Sequence, residues 1–505
     1  SMTSNDFIDI SNAQTIPLSD IPVIDYPRFM ACVTDELRQP ANHCLNYYGV
    51  ADGNRYWFIC CIACDETHRI RLYSHEAPKS ITSLDSLTPE CPQLYIFERE
   101  IHENFGINFD GHPWLKPVRW PFDRHNPDSN MNNYPFYAIP SEELHEVGVG
   151  PIHAGVIEPG HFRFICNGEK VLHLEIHLGY QHRGAEKLVA PGNGLQRALL
   201  CESIAGDTSV ASSIVHAQLI ESLAGIEVSQ NLQLERCMGL ELERIAVHIG
   251  DTAALCADVA YQLGQVVNEA LRTTFINTTQ YWCGNQFGKG LVRPGGTHYP
   301  LSDDILREIR RVLGDSGKRY FDIADRIYTL PTVLARFDGI GSLSHEQTLT
   351  IGAVGMAART AQLARDIRKS HPFQYYSSFH HQPVLLETGD VLARGMLRYR
   401  EVQQSVDLIE SWGKQWEAMP HQVTPPVYDY RLRPASFAIS VAEAWRGELC
   451  HTAITDADGN LIHYKVKDPS LHNWMALALA VRNQEISDFP ICNKSFNLSY
   501  CGYDL

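Results

Sequence analysis

The sequence has no run of Lys and Arg; 42 basic residues are outnumbered by 59 acidic ones, for a formal charge of −17. Phosphate binding needs clustered cations, so this balance argues against a nucleic-acid partner. No apolar stretch reaches the ~18 residues that cross a bilayer. The longest, around Tyr56–Cys64 and Trp474–Val481, have the length of buried core pieces. The opening residues, Ser1 to Asp6, carry neither the basic region nor the apolar core of a secretory leader, so a reducing, non-exported setting is expected. A phosphate-cradling loop is missing too. Gly284-Asn-Gln-Phe-Gly-Lys289 has the wrong spacing and no following Ser or Thr, and no G-x-G-x-x-G opens a helix. His145-Glu146 lacks the second His of a zinc hydrolase, and His380-His381 reads as a solvated pair. Repeats and low-complexity segments are absent.

Cysteine is plentiful: fourteen, at 32, 44, 60, 61, 64, 91, 166, 201, 237, 256, 283, 450, 492 and 501. Without an export leader they read as reduced thiols rather than a disulfide scaffold. Only Cys61 and Cys64 form a C-x-x-C. Lying in the apolar run Trp57–Cys64, they read as core residues, with a metal or redox pair as the alternative.

At 505 residues the chain exceeds one ordinary domain. The pattern predicts an α+β fold. Residues 1–125 read as an α/β domain with a helix over 30–45, strands at 56–63 and 69–73, and a charged helical turn at 98–103. The Asn- and Pro-rich stretch 126–140 has linker chemistry, and 141–505 reads as a large, mainly helical domain with a small sheet. In that domain, Phe162–Cys166 and Val171–Leu178 form a strand pair around Asn167-Gly168. Leu234, Met238, Leu242, Ile245 and Ile249 make one apolar helix stripe. Ser302 caps a helix that presents Ile305, Ile309 and Val312 and ends at Gly314. Further helices are expected at 347–369, 388–416 and 471–482.

Residues 98–113, from Glu98-Arg-Glu to Asp110-Gly-His-Pro113, resemble the signature of the 30-kDa-type subunit of respiratory complex I. Gly150-Pro-Ile-His153 through Glu158-Pro-Gly-His-Phe-Arg163, and Leu178-Gly-Tyr-Gln-His-Arg-Gly-Ala-Glu-Lys-Leu188, resemble the complex I 49-kDa-type subunit and the large subunit of membrane-bound [NiFe] hydrogenases. Glu243 to Gly250, Arg293-Pro-Gly-Gly296 and Glu443-Ala-Trp-Arg-Gly-Glu448 continue the match. Both types in one chain, in this order, resemble the fused large subunit of formate-hydrogenlyase-type, group 4 hydrogenases.

That resemblance implies two C-x-x-C pairs holding nickel, because a redox-active nickel needs soft thiolates. Here the first pair falls on Ala205 and Thr208 and the second on Ser499 and Gly502. It therefore implies a chain without a nickel–iron centre that binds no cofactor of its own; Cys201, Cys492 and Cys501 read as inert thiols, with a reorganised metal site as the alternative. Glu158 matches a proton-relaying glutamate, Arg446 an arginine over the iron ligands, and His161 a histidine that donates to a quinone carbonyl. With His153 and Asp207 these would line a polar chamber. Arg183 and Glu186 read as a salt bridge fixing a helix start, Arg293–Gly296 as a partner-docking turn or a plain one, and Glu243 and Arg244 as interhelical pairing groups. The implied partners are a small subunit carrying a 4Fe-4S cluster and membrane subunits of antiporter and quinone-channel type, at the cytoplasmic face of the inner membrane. A quinone or another small carrier would take the electrons. An active hydrogenase with unusual ligation and a non-catalytic scaffold are the alternatives.

Overall fold

The computed structural model describes residues 5–153 and 157–505. Strand β1 (Ile8–Ile10) and strand β2 (Gln14–Pro17) open the chain, followed by helix α1 (Tyr26–Leu37). The Asp25 carboxylate caps α1 by accepting from Arg28 N at 2.8 Å. Strands β3 (Asn42–Asp52), β4 (Arg55–Cys64) and β5 (Arg69–Pro78) complete an antiparallel sheet of order β1-β5-β4-β3. The predicted helix over 30–45 thus stops at Leu37. Pro40 disfavours helix just before it, and 42–52 is a strand that periodicity did not reveal. Cys44 and Tyr47 point into one apolar cluster and Leu45 and Tyr48 into another. A strand buried on both faces reads as an unbroken apolar run, which spacing alone cannot tell from helix.

The short strands β6 (Ser83–Asp85) and β7 (Asn108–Asp110) pair in parallel around helix α2 (Tyr95–Phe105). Between Asp128 and Tyr134 an Asn130 capping box holds the single turn Met131–Asn133. Strands β9 (His161–Asn167) and β10 (Lys170–His177) are the predicted pair, and β8 (His145–Val149) adds a third strand on the β9 side. The helices α3 (Ala185–Val189), α4 (Gly194–Glu202), α5 (Ser209–Ala224), α6 (Gln230–Asp258) and α7 (Gln262–Cys283) follow. All five stripe residues of α6 are buried, and α6 packs on α7 and on the helix Val391–Ala418.

Ser302 does cap Asp303–Val312, accepting from Ile305 N at 3.3 Å. Gly314, however, does not end the helix: the chain widens over Leu313–Gly317 and continues as Lys318–Ile327. The helix expected at 347–369 is three short pieces, because Gly352 and Gly355 take left-handed φ of 69° and 61°. Strands β11 (Ser436–Glu443), β12 (Glu448–Thr455) and β13 (Leu461–Lys467) form a sheet in which every residue of β11 and β12 is buried. Its fourth strand is β2, with Ile16 opposite Phe437, so the N-terminal segment completes a sheet near the other end of the chain. Helices Pro469–Ala480 and Tyr500–Asp504 close the chain.

All fourteen cysteines are free; thirteen are buried and Cys501 is half-buried. Cys61 and Cys64 stand three apart on β4, so their side chains enter different clusters and cannot share an ion.

Candidate functional site

Three segments distant in sequence meet beside the last helix. The first is the loop between β8 and β9. His153 Nε2 donates to Gly160 O at 2.8 Å and His161 Nδ1 donates to Gly150 O at 3.2 Å, which cross-braces the loop. Gly150 is required there: at φ 92° a Cβ would lie 2.3 Å from Gly160 O. Burial lowers the His161 pKa, so the ring is neutral at pH 7, and with Nδ1–H bound to a carbonyl, Nε2 is the acceptor nitrogen, without a hydrogen bond among the described residues. Glu158 is exposed, and its charge helps push up the pKa values of Tyr500, Cys501 and Asp504. Gly160 lies against Tyr500, whose ring would meet an added Cβ at 2.8 Å.

The second segment is the turn Ala205–Thr208 between α4 and α5. Arg446, in the β11–β12 turn, grips Asp207 through both guanidinium arms at 2.7 and 2.6 Å. Its Nε donates to Asn497 O at 2.6 Å, which ties this turn to the third segment, Asn497–Leu505. Trp445 adds an indole N–H to Asp207 O at 2.9 Å and lies under the Arg446 guanidinium at 4.0 Å.

In the third segment Ser499 Oγ accepts from Gly502 N at 2.9 Å, capping the last helix, and Cys501 Sγ lies 3.6 Å away. Gly502 packs on Asp468: a Cβ would meet Asp468 Oδ2 at 2.3 Å. Thr208 Oγ1 donates to Ala205 O at 3.3 Å. Ala205 and Gly502 offer no donor atom, the two hydroxyls are engaged, and burial pushes the Cys501 thiol up to about 11. This set does not fit a four-thiolate nickel site. Among the described residues, no three His, Cys, Asp or Glu side chains are arranged to hold a metal ion.

Arg446 and Asp207 are therefore joined directly, and Glu158 reaches the last helix by its charge. His153 and His161 are held within their own loop, which abuts that helix. Sequence reasoning missed Asp468 and Asp251. Asp468 caps Pro469–Ala480 by accepting from Ser470 N at 2.8 Å, and burial raises its pKa. Asp251 accepts from Asn497 Nδ2 at 2.7 Å and from Arg398 Nε at 3.0 Å. The Asp-Pro start of a helix could have flagged the first; nothing local marks the second.

Other expectations need correction. Arg183 and Glu186 do not pair. Arg183 donates to Ser203 O and Ile204 O, while Glu186 holds Lys465 at 3.0 Å and Val466 N at 2.8 Å. Arg293 is buried on Glu202 at 2.8 Å, so its own side chain is spent inside the fold. His381 is buried beside Asp366 at 3.5 Å rather than solvated. Glu243 does join α6 to α5, accepting from Val210 N at 2.8 Å, whereas Arg244 binds Glu241 on its own helix and the carbonyl of Glu443.

Two family descriptions match the chain: "Respiratory-chain NADH dehydrogenase, 30 Kd subunit" over residues 20–131 and "49 Kd subunit" over 264–431. The carbon monoxide-induced hydrogenase of Rhodospirillum rubrum is 30% identical over 358 residues, covering 70% of this chain and 96% of that protein. Hydrogenase-4 component G of Escherichia coli (strain K12) is 27% identical, over 82% of this chain and 74% of its own length. Among solved structures, the archaeal membrane-bound sulfane sulfur reductase complex contains a chain of the same fold. Its TM-score is 0.66 at 22% identity, covering 73% of this chain and all of that one.

Proposed function

The chain belongs to the family of complex I 49-kDa subunits and membrane-bound hydrogenase large subunits, with a 30-kDa-type unit fused ahead, and from that premise we propose that it is the large peripheral-arm subunit of a complex-I-like redox complex working without a nickel–iron centre. The observation that carries this reading is the chemistry at the four ligand positions. Two lack donors, and Ser499 and Thr208 spend their hydroxyls on the turns that hold them.

Electrons come from a 4Fe-4S cluster on a partner subunit, since this chain offers no cluster-ligand spacing. They pass to a quinone or a similar small carrier, whose two-electron reduction also consumes two protons. His161 suits that step: its free Nε2 accepts a proton first, and the resulting imidazolium then donates to the carrier's carbonyl. Glu158, at the exposed edge of the loop, refills it from solvent. Arg446, its arms on Asp207 and its Nε on Asn497 O, is a positioning residue that holds the two segments together and moves no proton itself.

Attachment to the membrane comes through partners. No single helix among the described residues is long and apolar enough to cross a bilayer. Gly194–Glu202 with Gly206–Ala224 passes by composition but turns through 108° between its halves.

Elemental analysis of the purified complex tests the metal. We expect nickel far below one per chain, and one nickel per chain overturns the reading in favour of a hydrogenase with unusual ligation. Glu158→Gln tests the chamber: turnover of the assembled complex should fall about 10²-fold, the usual reach of a positioned acid–base group. Unchanged turnover would make the chain a scaffold.

A further inference from the structure

The charged core of the helical unit does not balance. Asp366, Glu241 of α6, Glu401 of the helix Val391–Ala418 and Glu443 of β11 meet three guanidinium groups, those of Arg244, Arg359 and Arg368. All seven side chains are buried. Four negative charges against three positive ones leave one unmatched, at a high cost in a dry interior. Two imidazoles stand close, His248 at 3.5 Å from Glu401 and His381 at 3.5 Å from Asp366. Burial lowers both of their pKa values, so they are neutral at pH 7 and do not supply the missing charge. The adjoining groups are matched among themselves. Arg398 lies 3.0 Å from Asp251, and Arg365 and Lys467 answer Asp65 and Glu448.

The contacts single out Glu443. Arg368 forks on Asp366 at 3.0 and 2.7 Å, and it reaches Glu241 at 2.7 Å and Glu401 at 3.2 Å. Glu241 also holds Arg244 at 2.9 Å, and Glu401 holds Arg359 at 3.3 Å. Glu443 has one guanidinium arm, Arg359 Nη1 at 3.0 Å, and that same nitrogen lies 3.9 Å from Asp366. Two carboxylates that share one cation raise each other's affinity for a proton.

We propose that this cluster is a buried one-proton site, with Glu443 as the carboxyl that carries the proton and as a positioning residue for the turn that bears Arg446. The turn is rooted in the cluster. Arg244 donates to the carbonyls of Glu443 at 2.8 Å and Ala444 at 3.1 Å, and His248 meets the Trp445 ring edge-on at 6.1 Å. With the proton bound the cluster is neutral and the turn is held. Its loss sets a bare negative charge at the root of the turn. This positioning part rests on the joining role of Arg446 in the proposed chamber; the proton site does not.

Burial raises all four carboxyls, and the guanidinium groups more than reverse it at Asp366, Glu241 and Glu401, which end below the usual range. At Glu443 burial prevails and pushes the value up to about 7. An unfolded glutamate releases its proton near about 4.3. The stability tied to Glu443 is therefore complete below that value and is lost as the pH rises through about 7.

Infrared difference spectroscopy of the full chain tests the proton. The parent minus Glu443→Gln should show, below about pH 6, the carbonyl stretch of a protonated carboxylic acid, fading as the pH passes about 7. Glu401→Gln removes the unmatched charge elsewhere, so in that background the fading should move at least about one pH unit lower. The urea unfolding constant of the parent relative to Glu443→Gln should rise by up to about tenfold per pH unit between about pH 5 and 7. Turnover of the assembled complex should lose its alkaline limb in Glu443→Gln, a change that a plain packing residue would not produce. The proton site is overturned if the band is absent, if Glu401→Gln leaves its pH unmoved, or if the unfolding ratio is flat. An unmoved turnover profile with the band in place overturns the positioning role. Neither failure alters the nickel content, so both are distinct from a failure of the chamber reading.

Discussion

His177 receives the Trp120 indole N–H on Nε2 at 3.0 Å and stacks on Tyr134 at 3.9 Å, and burial pushes its pKa down to about 3. His75 and His451, each bonded to a tyrosine hydroxyl, are likewise lowered to about 3. These rings stay neutral in the fold but take a proton near pH 6.5 once unfolded. The unfolded chain therefore binds more protons below that pH. The stability these groups contribute is complete above about pH 6.5 and is lost as the pH falls toward 3. Urea unfolding of His177→Gln between pH 6 and 4 should show a pH slope shallower by up to about 1.4 kcal/mol per unit, the value of one proton; an identical slope would refute the assignment. Nothing in the sequence around His177 predicts this, because its partners Trp120 and Tyr134 lie far away along the chain. Arg446 and Asp207 were legible only through resemblance to a family; their 2.6 Å contact spans 239 positions.

The element most surprising from the sequence is β2. Its four residues carry little strand signal, yet they cover the edge of β11, with Ile16 buried opposite Phe437. An uncovered β11 would expose unpaired backbone groups along a fully buried strand. Ile16→Asp places a carboxylate in that cluster and should cost about 3 kcal/mol. Hydrogen exchange should then speed up at Ser436–Ile439 while the β4–β5 hairpin amides remain protected; unchanged exchange at 436–439 would mean β2 does not hold the edge. The hairpin itself was readable, since the apolar run Trp57–Cys64 is followed, across a polar turn, by the alternating Arg69-Ile-Arg-Leu-Tyr73. So was α6, whose one-sided stripe repeats at helical spacing. β3, β11 and β12 were not, because burial on both faces erases the alternation that announces a strand.

At the scale of the whole molecule the two family units share more than a linker. His43 of β3 lies 2.7 Å from Glu448 of β12, Lys465 of β13 reaches Glu100 of α2, and Arg119 Nε donates to Tyr503 O at 2.7 Å. Breaking such buried pairs leaves uncompensated charges, which costs more than the pairs contribute when intact. Calorimetry of the full chain should accordingly give one cooperative transition, with His43→Ala lowering its midpoint; two separated transitions would show that the units unfold independently. What the sequence by itself determined is the order of the units, the helical stripes, the turn chemistry and the residue types at Ala205, Thr208, Ser499 and Gly502, because each depends on neighbours within a few positions. Only the tertiary structure decided that thirteen of the fourteen cysteines are buried, that Arg446 ties the turn at Asp207 to the distant segment at Asn497, and that β2 finishes the sheet of β11–β13. Those facts depend on groups hundreds of residues apart, and no local pattern of polarity or spacing records which distant groups will meet.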